Sequence, residues 1–79
     1  MNVRKKGYGE SNMVGRSIEQ LRKLRKIKQK DFVAQMQVMG CDINRTSFSK
    51  LEGQVRFATD KEVYAAAQIL EVSVDSLFE

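Results

Sequence analysis

Apolar residues recur at helical spacing along four stretches of the chain, and each stretch predicts a short helix. The predicted helices span residues 13–26, 29–39, 45–53 and a stretch that starts at Thr59, with a final turn after Ser73. The pattern therefore predicts an all-α fold, a compact bundle of four to five short helices within one domain over residues 13–79.

The second and third helices are close in sequence and are joined by a turn. The apolar side of the second helix is formed by Phe32, Val33, Met36 and Met39. Gly40 follows them at the place where a helix C-terminus favours a left-handed residue. Asn44 stands at the N-cap position of the third helix, immediately before Arg45.

The third helix has an apolar back and a polar front. At 100° per residue, Phe48 and Leu51 share the back, whereas the front is formed by Arg45, Thr46, Ser49 and Lys50. That front carries hydrogen-bond donors and no acid, which suits the major groove of DNA. Arg and Lys match guanine O6 and N7, and the Thr methyl group matches the thymine methyl group. We therefore expect Arg45, Thr46 and Lys50 to contact base edges.

The order and spacing of these segments resemble the phage-repressor type of helix-turn-helix protein, the XRE or Cro/repressor family. Four features carry the resemblance: Leu21-Arg22 seven to eight residues before Gln29, Gln29 itself at the start of the second helix, SFSKLE at 47–52, and the segment 59–78. The resemblance covers residues 14–78 and implies a lambda-repressor-like DNA-binding domain.

The resemblance also implies roles for individual residues. Gln29 matches a residue that contacts the DNA backbone and braces the recognition helix, and its place at a helix N-terminus also suits phosphate. Arg56 follows the third helix, where family members carry basic residues that meet phosphate. The alternatives are an ordinary polar first-turn residue for Gln29 and a solvated loop residue for Arg56. We assign Ser47 and Ser49 to phosphate as well.

A structural ion pair follows from the same resemblance. Family members pair the residues that match Arg22 in the first helix and Glu52 in the third, so we expect a salt bridge between them. The chain departs from the family mainly in the segment QVMGC, residues 37–41, where about five extra residues predict a longer second helix or a wider turn. After Glu52 the chain reads Gly53-Gln54, whereas a glycine one place later is more common.

The charge of the chain favours a polyanionic partner. Fourteen Lys and Arg against ten Asp and Glu give a net charge of +4, and most of the cations precede residue 31. A basic surface that serves only solubility is the alternative. Residues 1–12 include three cations and two glycines and predict a flexible basic arm, either a contact for DNA or a disordered terminus.

The inventory of reactive side chains argues against an enzyme. The chain has no His and a single cysteine, Cys41, and it contains no glycine-rich phosphate loop. We expect no catalytic residue, cofactor or metal. Without an apolar run of membrane-spanning length or a secretory signal, we expect a cytoplasmic protein that does not contact membranes.

These observations predict a small transcriptional regulator, a repressor, that binds specific sequences of double-stranded DNA as a weak homodimer. Leu77 and Phe78 in the last turn either complete the core or contribute to the dimer. One alternative is an antitoxin that binds a toxin and its own operator. Others are a protein-interaction module on the same fold and a nonspecific binder of nucleic acid.

Overall fold

The computed structural model of the chain describes residues 11–78 and contains four α-helices over that range. They are α1 (Gly15–Leu24), α2 (Gln29–Val38), α3 (Arg45–Glu52) and α4 (Asp60–Leu70), followed by a short 3₁₀ helix at Asp75–Phe78. Residues 11–78 contain no strand, so the predicted all-α fold is confirmed. None of these helices is long and apolar enough to cross a membrane. The predicted arm lies outside the described residues, apart from Ser11 and Asn12.

The core is built from one side of each helix and closed by the 3₁₀ segment. Phe32 of α2 and Phe48 of α3 stack with ring centroids 5.1 Å apart, and both side chains are fully buried. Other buried apolar residues are Val14, Ile18, Val33, Met36, Cys41, Ile43, Leu51, Ala65, Ala66, Ala67, Leu70 and Leu77. Burial of one such large side chain contributes roughly 1.5–3 kcal/mol, so the stacked pair is a substantial part of the α2–α3 contact.

Polar side chains fix where α3 and α4 begin. Asn44 Oδ1 accepts a 2.8 Å hydrogen bond from the backbone N–H of Ser47, so the predicted N-cap of α3 is confirmed. Thr59 and Glu62 form a reciprocal capping box at the start of α4, with bonds of 3.2 and 3.0 Å. Each cap satisfies N–H groups that a helix leaves without an intrahelical partner.

Each of the four α-helices is followed, one or two residues after its last residue, by a residue with positive φ. Two backbone hydrogen bonds close each end in the pattern of a Schellman motif. The left-handed residues are Lys26, Gly40, Gln54 and Glu71, with φ values of 60°, 94°, 62° and 58°. The prediction for Gly40 is confirmed, and at the other three ends a residue with a Cβ adopts a conformation that favours glycine.

The connection between α2 and α3 is a wide turn. α2 ends at Val38 and α3 begins at Arg45, so residues 39–44 form the connection. Cys41 and Ile43 of the turn are buried, and Gln37 Nε2 donates a 2.8 Å hydrogen bond to the carbonyl oxygen of Ile43. The turn is therefore anchored both by apolar packing and by the end of α2.

Candidate nucleic-acid interface

The outer side of α3 presents polar side chains to solvent. Phe48, Leu51 and Glu52 face inward and are at most 2% exposed. The exposed residues of the helix are Arg45, Thr46, Ser49 and Lys50, and Ser47 is half-buried. Because Glu52 is the one acid of α3 and is buried, the outer side is cationic and rich in hydrogen-bond donors.

A buried ion pair joins α3 to α1. Arg22 Nε lies 2.7 Å from Glu52 Oε2, and Arg22 Nη2 donates to Glu52 Oε1 at 3.1 Å. The two side chains are 8% and 3% exposed. Arg22 Nη1 also donates a 2.8 Å bond to the carbonyl oxygen of Ile27. The salt bridge expected between Arg22 and Glu52 is present, and it also fixes the loop that leads into α2.

Gln29 connects this ion pair to the outer side of α3. Its Nε2 donates a 2.8 Å hydrogen bond to Glu52 Oε1. Its Oε1 accepts from Ser49 Oγ at 3.3 Å and from Arg45 Nε at 3.5 Å, the latter a weak contact. Both the nitrogen and the oxygen of the Gln29 amide are therefore hydrogen-bonded to α3, and these bonds hold α3 against the start of α2.

The start of α2 offers a second feature suited to an anion. No side chain caps α2 at its N-cap residue, Lys28, so the backbone N–H groups of Gln29 and Lys30 remain available, whereas that of Asp31 donates to the Lys28 carbonyl oxygen at 3.1 Å. Lys28 and Lys30 are exposed on either side of Gln29, although Asp31 follows in the same turn. A phosphate contact through backbone groups here would leave the side-chain bonds of Gln29 intact.

Arg56 lies between α3 and Glu62 of α4 and has acceptors on both helices. Its Nη1 and Nη2 each lie 2.9 Å from an oxygen of Glu62, and its Nε donates to the carbonyl oxygen of Ser47 at 2.9 Å. Burial favours a higher pKa for Glu62, but the bonds from Arg56 and Thr59 and the charge of Arg56 hold that pKa below its usual value. The guanidinium of Arg56 is therefore neutralised within the protein, and its expected phosphate contact stays a prediction.

Asn12 and Gly15 hold the C-terminal end of α3 and were not identified from the sequence as contacts of that helix. Asn12 Nδ2 donates to the carbonyl oxygens of Leu51 and Arg56 at 3.1 and 2.8 Å, and its Oδ1 accepts from Gly15 N at 2.8 Å. A Cβ on Gly15 would overlap the Leu51 carbonyl oxygen. Asn12 is 7% exposed and belongs to the folded part rather than to the arm.

Three large apolar side chains are exposed outside α3. Phe57 and Tyr64 are 76% and 57% exposed, and Phe78 is 46% exposed. Tyr64 lines two grooves, one that includes the α2–α3 turn and one that includes Phe78. Leu77 is fully buried in the core, so of the two residues expected at a dimer contact only Phe78 reaches the surface.

Cys41 lies in a protected position. Its side chain is buried, and Sγ is 3.8 Å from the carbonyl oxygen of Lys61. Burial, followed by the charge of Glu62, raises the pKa of the Cys41 thiol above its usual value despite the opposing charge of Lys61. Within residues 11–78, no group of three or more His, Cys, Asp or Glu side chains is arranged to hold a metal ion.

Comparisons of the chain with protein-family models, with curated proteins and with solved structures found no match.

Proposed function

We propose that the chain is a small transcriptional regulator that binds specific sequences of double-stranded DNA through α3. The observation that carries the proposal is the outer side of α3, which exposes Arg45, Thr46, Ser49 and Lys50 with no exposed acid in that helix. The buried contacts of Glu52 support a fixed orientation of that side, which base reading requires. This function agrees with the resemblance to the XRE family.

The side chains of α3 differ in how they would contribute. Lys50 and Thr46 make no side-chain hydrogen bond among the described residues, so both can turn toward base edges, Lys50 to guanine and Thr46 to a thymine methyl group. Arg45 can reach a guanine by giving up its weak contact with Gln29. Ser47, Ser49 and the first turn of α2 would face phosphate and set the register.

Two copies would bind a two-fold operator, with half-sites about one helical turn apart. The exposed apolar surface around Tyr64 and Phe78 offers area for a weak contact between copies. The proposal places the protein in the cytoplasm, the compartment that holds the DNA of a bacterial cell.

Selection from a random duplex pool tests the proposal directly. Anisotropy titrations of the selected duplex and a scrambled duplex at several salt concentrations follow. We expect a palindromic winner bound at least about 10³-fold more tightly than the scramble. Lys50→Ala should relax the preference at one base pair of each half-site. Equal, steeply salt-dependent binding of both duplexes would mean counterion release alone and would refute base reading by α3.

The exposed apolar surface favours a second candidate, an antitoxin that binds a toxin as well as its own operator. Phe57, Tyr64 and Phe78 are large apolar side chains of the kind found at protein interfaces. A neighbouring gene for a small toxin would support it. Co-expression of the two proteins would then give a complex that Tyr64→Glu abolishes, whereas a complex unaffected by that change would argue against this surface.

A further inference from the structure

The side chain of Arg56 lies between α3 and α4 and contacts both helices. Its Nε donates to the carbonyl oxygen of Ser47, in the first turn of α3. Its two terminal nitrogens bind the two carboxylate oxygens of Glu62, and Nη1 also donates to the carbonyl oxygen of Phe57 at 2.7 Å. All three nitrogens of the guanidinium therefore have acceptors within the protein.

The partner of Arg56 is held in place independently of Arg56. Glu62 is 8% exposed and completes the capping box of α4, in which its Oε1 accepts from the backbone N–H of Thr59 at 3.0 Å. A series of fixed contacts thus runs from the start of α4 through Arg56 to Ser47. Ser47 follows Thr46 directly, and Lys50 lies one turn after Ser47. A contact that holds the Ser47 carbonyl in place therefore also holds the backbone from which the side chains of Thr46 and Lys50 extend.

The hydrogen bonds and the charge of Arg56 separate this role from a direct contact with DNA. Four of its five N–H groups donate within the protein, and its positive charge is balanced by a bidentate carboxylate, with the side chain 22% exposed. Lys50 is the contrast, because it is exposed and its side chain has no acceptor among the described residues. A guanidinium bound in the manner of Arg56 holds two helices in register more readily than it takes up a further anion.

We propose that Arg56 is a positioning residue for DNA reading, which places the first turn of α3 through the Ser47 carbonyl and is itself placed by Glu62. The inference rests on the proposed function, since it assigns to Arg56 an effect on specific binding. It predicts that loss of Arg56 lowers affinity for the operator while affinity for other duplexes is unchanged.

The test compares Arg56→Ala and Glu62→Gln with the wild-type chain. The matched control is Lys61→Ala. Lys61 lies in α4 next to Glu62, and its side chain makes no contact with α3, so the change removes one cation near the Arg56–Glu62 pair and leaves the pair intact. Each protein is titrated with the selected operator and a scrambled duplex across a salt series, at a temperature where circular dichroism shows it folded. The ratio of the two affinities and the salt slope are the readouts, because a purely structural contribution moves neither in a folded protein.

We expect Arg56→Ala to lower operator affinity by roughly 5- to 100-fold, the effect of one mismatched base pair, with the scrambled duplex and the salt slope unchanged. Glu62→Gln should change operator binding in the same direction by a smaller factor, and Lys61→Ala should leave the affinity ratio as in wild type. Amide hydrogen exchange in the first turn of α3 should accelerate in Arg56→Ala, which reports on the same contact without DNA.

Two results would overturn the inference. A phosphate contact predicts that Arg56→Ala weakens both duplexes and reduces the salt slope by about one, while Glu62→Gln strengthens both. A purely structural role predicts that folded Arg56→Ala has the wild-type affinity ratio. Glu62→Gln carries the test if Arg56→Ala does not fold. Wild-type protein that binds both duplexes equally refutes the proposed function first, and the inference with it.

Discussion

The ion pair between Arg22 and Glu52 makes a demanding prediction about stability. Glu52→Gln keeps the shape of the side chain but removes the charge that balances Arg22. In the structure that charge sits 2.7 Å from Arg22 Nε, and the two side chains are 8% and 3% exposed. Arg22 would retain one further acceptor, the carbonyl oxygen of Ile27, at 2.8 Å. A buried guanidinium would therefore be left without its counter-charge.

The expected loss is large relative to the stability of a chain of this size. Removal of one partner of a buried pair costs about 3–5 kcal/mol, and the oxygen that Gln retains lowers our expectation to about 2–4 kcal/mol. At about 0.05–0.15 kcal/mol per residue, the 79-residue chain has a free energy of unfolding of roughly 4–12 kcal/mol. The melting temperature should fall on the order of 10–30 °C, since each kcal/mol shifts a domain of this size by about 4–8 °C.

Thermal and urea unfolding followed by circular dichroism measure the effect. The matched control is Glu19→Gln, which breaks the exposed pair between Glu19 and Lys23, 3.3 Å apart with side chains 33% and 66% exposed. That change should cost at most about 0.5 kcal/mol. Adding Arg22→Met to Glu52→Gln should recover part of the loss, because the unbalanced charge is gone. A melting temperature of Glu52→Gln within about 2 °C of wild type would refute the reasoning.

The other predictions concern single positions and use urea unfolding. Gly15→Ala should cost about 2 kcal/mol or more through overlap with the Leu51 carbonyl, and Gly40→Ala about 1 kcal/mol through its φ of 94° alone; the reverse order would contradict both. Glu71→Gly should raise the free energy of unfolding by about 0.5–1 kcal/mol, because glycine adopts the left-handed conformation without strain and the change removes a negative charge from a helix C-terminus. Unchanged stability would disprove this. The folded-state pKa of Glu62 is lowered, so its contribution is full above the unfolded value of about 4.3 and is lost as pH falls through the folded value. Glu62→Gln should therefore show a flatter loss of stability below pH 5 than wild type, and parallel curves would argue against this assignment.

Features set by neighbours in sequence could be predicted from the sequence. Asn44 and Thr59 each accept a hydrogen bond from an N–H group three residues later, and the starts of α3 and α4 agree with the positions predicted from them. The helix boundaries agree with the prediction to within two residues for α1, α2 and α3. The left-handed Gly40 belongs to the same class, since a glycine after an apolar helical pattern is a local signal.

Features set by residues far apart in sequence required the structure. Asn12 donates to the carbonyl oxygen of Leu51, 39 positions away. Every residue has a backbone carbonyl, so the sequence does not indicate which one accepts. Arg22 and Glu52 are 30 positions apart, and only the resemblance to a family named them as a pair. The residue type and position of Arg56 predict a phosphate contact, but they do not show that its intramolecular acceptors lie on two different helices.

The bonds of Gln29 divide the outer side of α3 into two parts with different freedom to vary. Arg45 and Ser49 both donate to the amide oxygen of Gln29, and the amide nitrogen of Gln29 donates to Glu52. These two positions are therefore linked to the buried ion pair through Gln29. Thr46 and Lys50 have no such link. If α3 reads DNA, descendants of this chain can acquire new operators through Thr46 and Lys50 at little cost in stability. A change at Ser49 would alter the contacts of Gln29, whereas a change at Arg45 would remove only a weak contact.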